Sequence, residues 1–270
     1  MPPVVALLTD YGPGTEHVGA LHAVIAAALP DAQRVDLAHD IPPGDVRFGA
    51  IVLARMAYLL PWATVVAVVD PGVGTERRAA AVALEGGGYV VGPDNGLLGP
   101  VAEHSGAVAA VELTNEALMR TPVAPTFHGR DVFAPAAAHL AGGGALTDLG
   151  APVDLATISH PKLPAPNVGP GRIEALAVGS DRFGNVALLA TDADLRAARL
   201  AEGAYVWVHC GEHRHRARVG RVFADVPRGG LLLHEDSSGS LALAVSGGSA
   251  VDRLGVAMGE AVGIVAMDEG

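Results

Sequence analysis

Three groupings in this chain have the residue types and spacing for chemistry. The first is Thr64 to Arg78, TVVAVVDPGVGTERR, where an apolar run stops at Asp70 and a glycine-bracketed turn leads on to Arg77. A carboxylate at such a point can accept a proton, and a nearby guanidinium can orient it and offset developing negative charge. The second is PTFHGRDVFAP, Pro125 to Pro135, where His128 precedes Gly129 in a loop and an Arg-Asp pair opens a helix. An imidazole held in a glycine-flanked loop is placed for proton transfer. The third repeats the strand-then-carboxylate pattern, because VVALLT, Val4 to Thr9, ends in Asp10. Each grouping also has a plain structural reading. Asp70 can cap a tight turn beside solvated Arg77 and Arg78, His128 can cap its helix, and Asp10 can cap the helix region at Thr15. Local pattern leaves both readings open.

The elements that must position these residues follow from hydrophobic patterning. Val65 to Val69 show no polar alternation, the mark of a strand buried on both faces of a parallel sheet. In open parallel sheets the ligand crevice lies outside the carboxyl ends of the strands, where Asp10 and Asp70 fall. After Asp10, a glycine turn with Thr15 as N-cap predicts a helix with apolar residues at Val18, Leu21, Ile25 and Leu29. A second strand is expected over Gln33 to Leu37 and a helix over Val46 to Leu60, closed by Pro61. Strands follow at Ala79 to Leu84, Tyr89 to Val91 and Ala107 to Leu113, with the PDNG turn at Pro93 and a last helix over Asp131 to Leu140. Alternating strands and helices predict an α/β domain with a largely parallel central sheet.

Composition changes near Ser159. HPKLPAPNVGPG carries four prolines and two glycines in twelve residues, which predicts a stiff linker. The expected organisation is an α/β catalytic domain over 1–160, a linker over 161–171 and a smaller domain over 172–270. Short strands separated by tight turns fill the last of these: Arg172 to Val178, Val186 to Leu189, Ala204 to His209, His213 to Val219, Leu231 to His234, Leu241 to Val245 and Ala261 to Val265. That pattern predicts a β-barrel or sandwich.

Composition narrows the function classes. Half of the 270 residues are hydrophobic and 17% are charged, which excludes global disorder. A net charge of −11 opposes binding to nucleic acid or to an anionic membrane, both of which require basic surface. No apolar run approaches a membrane span and Met1 to Ala6 lack a basic signal-peptide start, so a cytoplasmic protein is expected. The single cysteine, Cys210, excludes an internal disulfide framework and a thiolate-rich metal site. His209, His213 and His215 share strand parity, but Gly211 interrupts the run and flanking arginines oppose a divalent cation, so no metal site is assigned. Gly12 and Gly14 suggest a dinucleotide fingerprint, yet the third glycine falls at Gly19 where His17 should be glycine. A nicotinamide-dependent oxidoreductase therefore rests on a defective motif.

TDYG at Thr9, VVDPGVGTERR around Asp70, PDNG at Pro93, TFHGRD at Thr126, DRFGN at Asp181 and DSSG at Asp236 occur in one order across almost the whole chain. Together they resemble the S-adenosyl-L-methionine (SAM) hydroxide adenosyltransferases, adenosine-forming SAM hydrolases related to the bacterial fluorinase and chlorinase. The resemblance implies an N-terminal α/β domain, a C-terminal β-barrel, and a homotrimer with active sites between subunits. It implies a water-activating triad of Asp70, Arg77 and His128, with Asp10 on the ribose diol. It also implies Asp181 and Ser237 on the methionine amino group, Ser238 near its carboxylate, and Phe183 and Asn185 on the adenosine. SAM is then substrate, and neither metal nor redox cofactor is implied.

Two positions separate hydrolase from halogenase within this resemblance. Asp70 stands where the halogenases carry tyrosine, and Gly129 where they place the halide-binding serine. Their characteristic insertion is also missing, since fourteen residues separate Arg78 from Pro93. A carboxylate beside a dehydrated halide would be repelled by it. Tyr11 departs from the phenylalanine usual in the family. The alternatives are a chlorinase-like halogenase and a non-catalytic SAM or adenosine binder on the same scaffold.

Overall fold

The computed structural model describes residues 2–267, which divide into two compact units at Lys162/Leu163. The first unit is built on β1 (Val4–Thr9), α1 (Glu16–Ala28), β2 (Gln33–Ala38), α2 (Val46–Ala57), β3 (Thr64–Val68), β4 (Ala79–Leu84), β5 (Tyr89–Pro93), α3 (Gly99–His104), β6 (Ala107–Glu112) and α4 (Ala134–Ala141). Its six strands lie in the order β2-β1-β3-β5-β4-β6, parallel except for β4, which runs antiparallel to both its neighbours. The largely parallel sheet expected from the sequence is therefore present.

Strand alternation feeds two separate cores. Val5 and Leu7 of β1 join Val66 and Val68 of β3 in packing against Leu21 and Ile25 of α1 and Leu140 of α4. The intervening Ala6, Leu8, Val65 and Ala67 pack with Leu53 of α2 and Val101 of α3. Both faces of β1 and β3 are thus apolar because helices cover both, which is why neither strand shows polar alternation.

Helix boundaries depart from expectation in three places. Thr15 occupies the N-cap position of α1, but its hydroxyl donates to the Gly12 carbonyl at 3.1 Å and does not cap the helix. Helix α2 ends at Ala57, before Leu60: Leu59 and Leu60 donate to carbonyls three residues back, a tightened turn imposed by Pro61. The chain coils as a π-helical turn over Gly129–Phe133 before α4 begins, so the last helical run starts earlier than Asp131.

The second unit contains β7 (Asn167–Gly169), β8 (Arg172–Ser180), β9 (Val186–Thr191), α5 (Asp192–Ala197), β10 (Tyr205–Cys210), β11 (His213–Val219), β12 (Leu231–Glu235), β13 (Ser240–Val245), α6 (Ala250–Leu254) and β14 (Ala261–Ala266). Strand β14 pairs with both β10 and β8, closing a seven-stranded barrel rather than leaving a sandwich. β7, inside the stretch expected to be linker, pairs with the start of β8. Ile173, Leu188, Val208, Leu233, Leu243 and Ile264 alternate inward to fill the barrel, and Leu195 of α5 and Leu254 of α6 join the same core. These two short helices carry few apolar positions and escape periodicity.

Candidate active site

Asp70 lies two residues beyond β3, at the carboxyl edge of the parallel strands. Because β4 runs against the others, its first residues return to that same edge, which brings Arg77 back over Asp70. The guanidinium grips the carboxylate with two nitrogens: Nε donates to Oδ1 at 2.9 Å and to Oδ2 at 3.1 Å, and Nη2 donates to Oδ2 at 2.5 Å. The side chains are 4% exposed for Asp70 and 10% for Arg77, so water screens the pair little. Arg77 also lies over the Phe133 ring, 5.3 Å from its centroid.

The same Nη2 lies 2.9 Å from His128 Nδ1. A guanidinium has donors only, so Nδ1 must accept and the neutral ring carries its proton on Nε2. Burial lowers the His128 pKa below the usual histidine value, and the Arg77 charge lowers it further against the opposing pull of Asp70 and Asp131. Asp70, Arg77 and His128, separated by up to 58 positions in sequence, thus form one continuous hydrogen-bonded set.

The loops that carry the set are pinned by residues whose roles sequence patterning does not assign. Asp131 is fully buried and holds the His128 loop: its carboxylate accepts from Arg130 at 2.7 and 2.8 Å and from the Ala124 amide at 2.9 Å, with Arg120 at 3.3 Å. Burial works to raise its pKa, but these donors outweigh burial and hold it below the ordinary aspartate value. Asn95 donates to the Val69 carbonyl at 2.9 Å, fastening the PDNG turn to the end of β3. Arg78, solvated in the plain turn reading of this stretch, pairs with buried Asp94 at 2.5 Å, and Asp94 accepts the Ser159 amide at 2.7 Å. A side chain at Gly74 would meet the Pro125 carbonyl at 2.7 Å, so glycine lets the Asp70 turn abut the His128 loop.

Tyr11 completes the surroundings. A Cβ at Gly129 would lie 2.3 Å from the Tyr11 hydroxyl, so the phenol occupies the space a side chain at 129 would need. The ring is wedged against His17 and Phe127, with centroids 5.6 and 5.8 Å away. Burial first, then the charges of Asp10 and Asp70, drive its pKa far above the ordinary tyrosine value, so the hydroxyl keeps its proton and remains a donor. The departure of Tyr11 from phenylalanine was the available signal. Asp10 accepts the Gly44 amide at 2.8 Å through Oδ2, leaving Oδ1 for another partner.

The second-unit residues occupy two turns. Asp181 Oδ1 accepts the amides of Phe183 and Asn185 at 2.9 and 3.0 Å, and Oδ2 accepts the Asn185 side-chain amide at 2.8 Å. Phe183 is 65% exposed. Ser237 and Ser238 are exposed in the turn closed by Asp236, which accepts the Ser238 amide at 2.8 Å. β9 and β13 pair antiparallel with Val186 opposite Leu243 and Thr191 opposite Ser240, so the two turns lie at opposite ends of that pair. Strand rise separates them by on the order of 15 Å within one chain. A cavity of about 490 Å³ in this unit, lined by Asp192, Arg196, Glu202, Arg221 and Glu235 among others, contains none of the expected site residues.

A carboxylate, guanidinium and imidazole converging at the carboxyl edge of a parallel sheet have the layout of an enzyme that moves protons. The chain belongs to the SAM hydroxide adenosyltransferase family: it matches the family's N-terminal domain over residues 5–150 and its C-terminal domain over residues 177–263. It is 47% identical to an (R)-S-adenosyl-L-methionine hydrolase of Salinispora arenicola across 98% of both chains. A fluorinase of Actinoplanes is more distant, at 27% identity over 68% of this chain and 70% of its own. A crystal structure of a conserved protein from Thermotoga maritima superposes with a TM-score of 0.91 at 35% identity, covering 97% of this chain and 99% of that one. Among the described residues no helix is long and apolar enough to cross a membrane.

Proposed function

We propose that the protein hydrolyses S-adenosyl-L-methionine to adenosine and L-methionine by in-line attack of water on C5′. The observation that carries this reading is the hydrogen-bonded set of Asp70, Arg77 and His128. The water oxygen bonds to C5′ as the C5′–S bond breaks, and the electron pair goes to sulfur, turning the sulfonium into a neutral thioether. The leaving group therefore needs no acid; the attacking water needs a base to take its proton.

The tautomer divides the work. Neutral His128 has its Nδ1 lone pair engaged by Arg77, so Nε2–H is a donor that orients the water oxygen. Asp70 is then the acceptor for the departing proton, and Arg77 holds it in place while offsetting charge that develops on oxygen. Asp10, with one oxygen unclaimed by Gly44, suits a ribose diol. Asp181, Phe183 and Asn185 would contact substrate from one turn of the barrel unit, and Ser237 and Ser238 from the other. A homotrimer with intersubunit sites and a cytoplasmic location form part of the same proposal; sedimentation analysis tests the former.

Gly129 and Tyr11 favour water over halide. The phenol fills the volume beside Gly129, and Asp70 puts negative charge where a desolvated halide would have to sit. Incubation with SAM in the presence and absence of chloride tests this choice: adenosine should form at the same rate in both, whereas 5′-chloro-5′-deoxyadenosine as the main product would replace hydrolysis with halogenation.

A further inference from the structure

A second cluster lies on the other side of β1 from Asp70, at the edge strand of the sheet. His22 on α1, Asp36 on β2 and His39 just past β2 present three ligand atoms, all within 4.8 Å of one another. His22 Nε2 is 2.8 Å from Asp36 Oδ1, and His39 Nε2 is 3.1 Å from the same oxygen. In a regular strand, residues 36 and 39 would point to opposite faces. The register slips after the Leu7–Asp36 pair, so that Leu8 faces Ala38, and this irregularity together with the strand end turns both side chains to one place.

His39 carries the strongest signal. Its side chain is 6% exposed, and its buried Nε2 faces Asp36 Oδ1 at 3.1 Å without the geometry of a regular hydrogen bond. Its other nitrogen, Nδ1, sits 2.8 Å from the hydroxyl of buried Thr9, which also accepts the Tyr11 amide at 3.2 Å. A histidine fixed through one ring nitrogen by an oxygen partner, with the other aimed at a carboxylate and a second imidazole, is the arrangement that orients a metal ligand.

We propose that His22, Asp36 and His39 bind one divalent transition-metal cation of the zinc class. Two imidazoles and one carboxylate select such a metal over magnesium or calcium, which prefer all-oxygen shells. Tetrahedral coordination with bonds near 2.0–2.1 Å needs ligand atoms roughly 3.3 Å apart. The two contacts to Asp36 already approach that spacing, and rotation of the half-exposed His22 closes the remaining edge. Asp36 is half exposed, so water can complete the shell. The ion would serve as a clamp: His39 also accepts the Gly12 amide through its carbonyl at 2.8 Å, so fixing it steadies the backbone that follows Asp10.

Zinc titration of chelator-treated full-length protein by calorimetry, with elemental analysis after dialysis, tests the site. One zinc per chain is expected, together with a rise in melting temperature that magnesium does not reproduce. His22→Ala, at a half-exposed helical position that tolerates alanine, and the isosteric Asp36→Asn should each weaken zinc binding at least about 100-fold, beyond the loss typical of an outer-shell partner. His213→Ala in the barrel should leave it unchanged. Absence of stoichiometric zinc binding, or zinc binding that survives His22→Ala but falls with His213→Ala, overturns the proposal.

Discussion

Replacing Gly129 by alanine is the perturbation whose cost is most directly readable from the geometry. The added Cβ would stand 2.3 Å from the Tyr11 hydroxyl, whereas an ordinary contact needs roughly 1 Å more. The phenol cannot swing aside cheaply, because His17 and Phe127 flank its ring. Overpacking of this kind costs about 1–3 kcal/mol. At the middle of that range, about 2 kcal/mol, the first unit should lose roughly 4–8 °C in melting temperature. Gly129→Ala should also lower turnover, since His128 is the preceding residue and moves with the loop. Tyr11→Phe removes the colliding atom, after which the nearest ring carbon is 3.3 Å from the new Cβ, a contact relieved by a few tenths of an ångström. The double variant should therefore be more stable than the sum of the singles by at least about 1 kcal/mol, a coupling expected only of groups in contact. Denaturant melts of the four proteins, with adenosine release followed chromatographically, measure both effects. Additive stabilities would show that the Tyr11 hydroxyl does not fill the space beside Gly129.

Asp70→Ala and His128→Ala should each lower kcat by about 10²–10⁴-fold, with SAM still bound in calorimetry; full activity in either variant would reject its role. Arg77→Lys should fall into the same range, because one ammonium cannot span Asp70 and His128 as the guanidinium does. His128 has its pKa lowered from 6.5, so its neutral form persists above that depressed value and activity should fall only as pH drops through a midpoint below 6.5. The stability it contributes has the same sign, present above 6.5 and lost as pH falls through the folded value. A midpoint above 6.5, or a profile unchanged by His128→Asn, would contradict this. Asp131→Asn should destabilise the protein by about 1–3 kcal/mol in urea titrations, because the neutral amide loses the charged acceptor for Arg130 and can turn an NH2 toward the Ala124 amide.

Much of the scaffold is legible in sequence because burial on both faces leaves a run such as Val65 to Val69 without polar interruption, and the strand ends at a carboxylate. The three triad positions could be named from motifs, yet their connection through Arg77 depends on β4 running antiparallel, which local pattern does not encode. Arg78, solvated in the plain turn reading, is instead paired with buried Asp94, because the chain entering β4 runs beside the end of β5 and the Arg78 carbonyl accepts the Asp94 amide at 2.9 Å. The π-helical turn after His128 is hidden because its residues satisfy a helical pattern equally well as an α-helix. His22, Asp36 and His39 are invisible as a group, since a helix, an edge strand and a register slip must act together to join them. Short helices such as α3 and α6 span too few residues for periodicity to speak.

The most direct measurement is product analysis after incubating the purified protein with SAM in ¹⁸O-labelled water. Equimolar adenosine and L-methionine are predicted, with the label on the adenosine 5′ oxygen and formation slowed about 10²–10⁴-fold in Asp70→Ala. Binding of SAM without turnover, or adenosine whose 5′ oxygen is unlabelled, would contradict it.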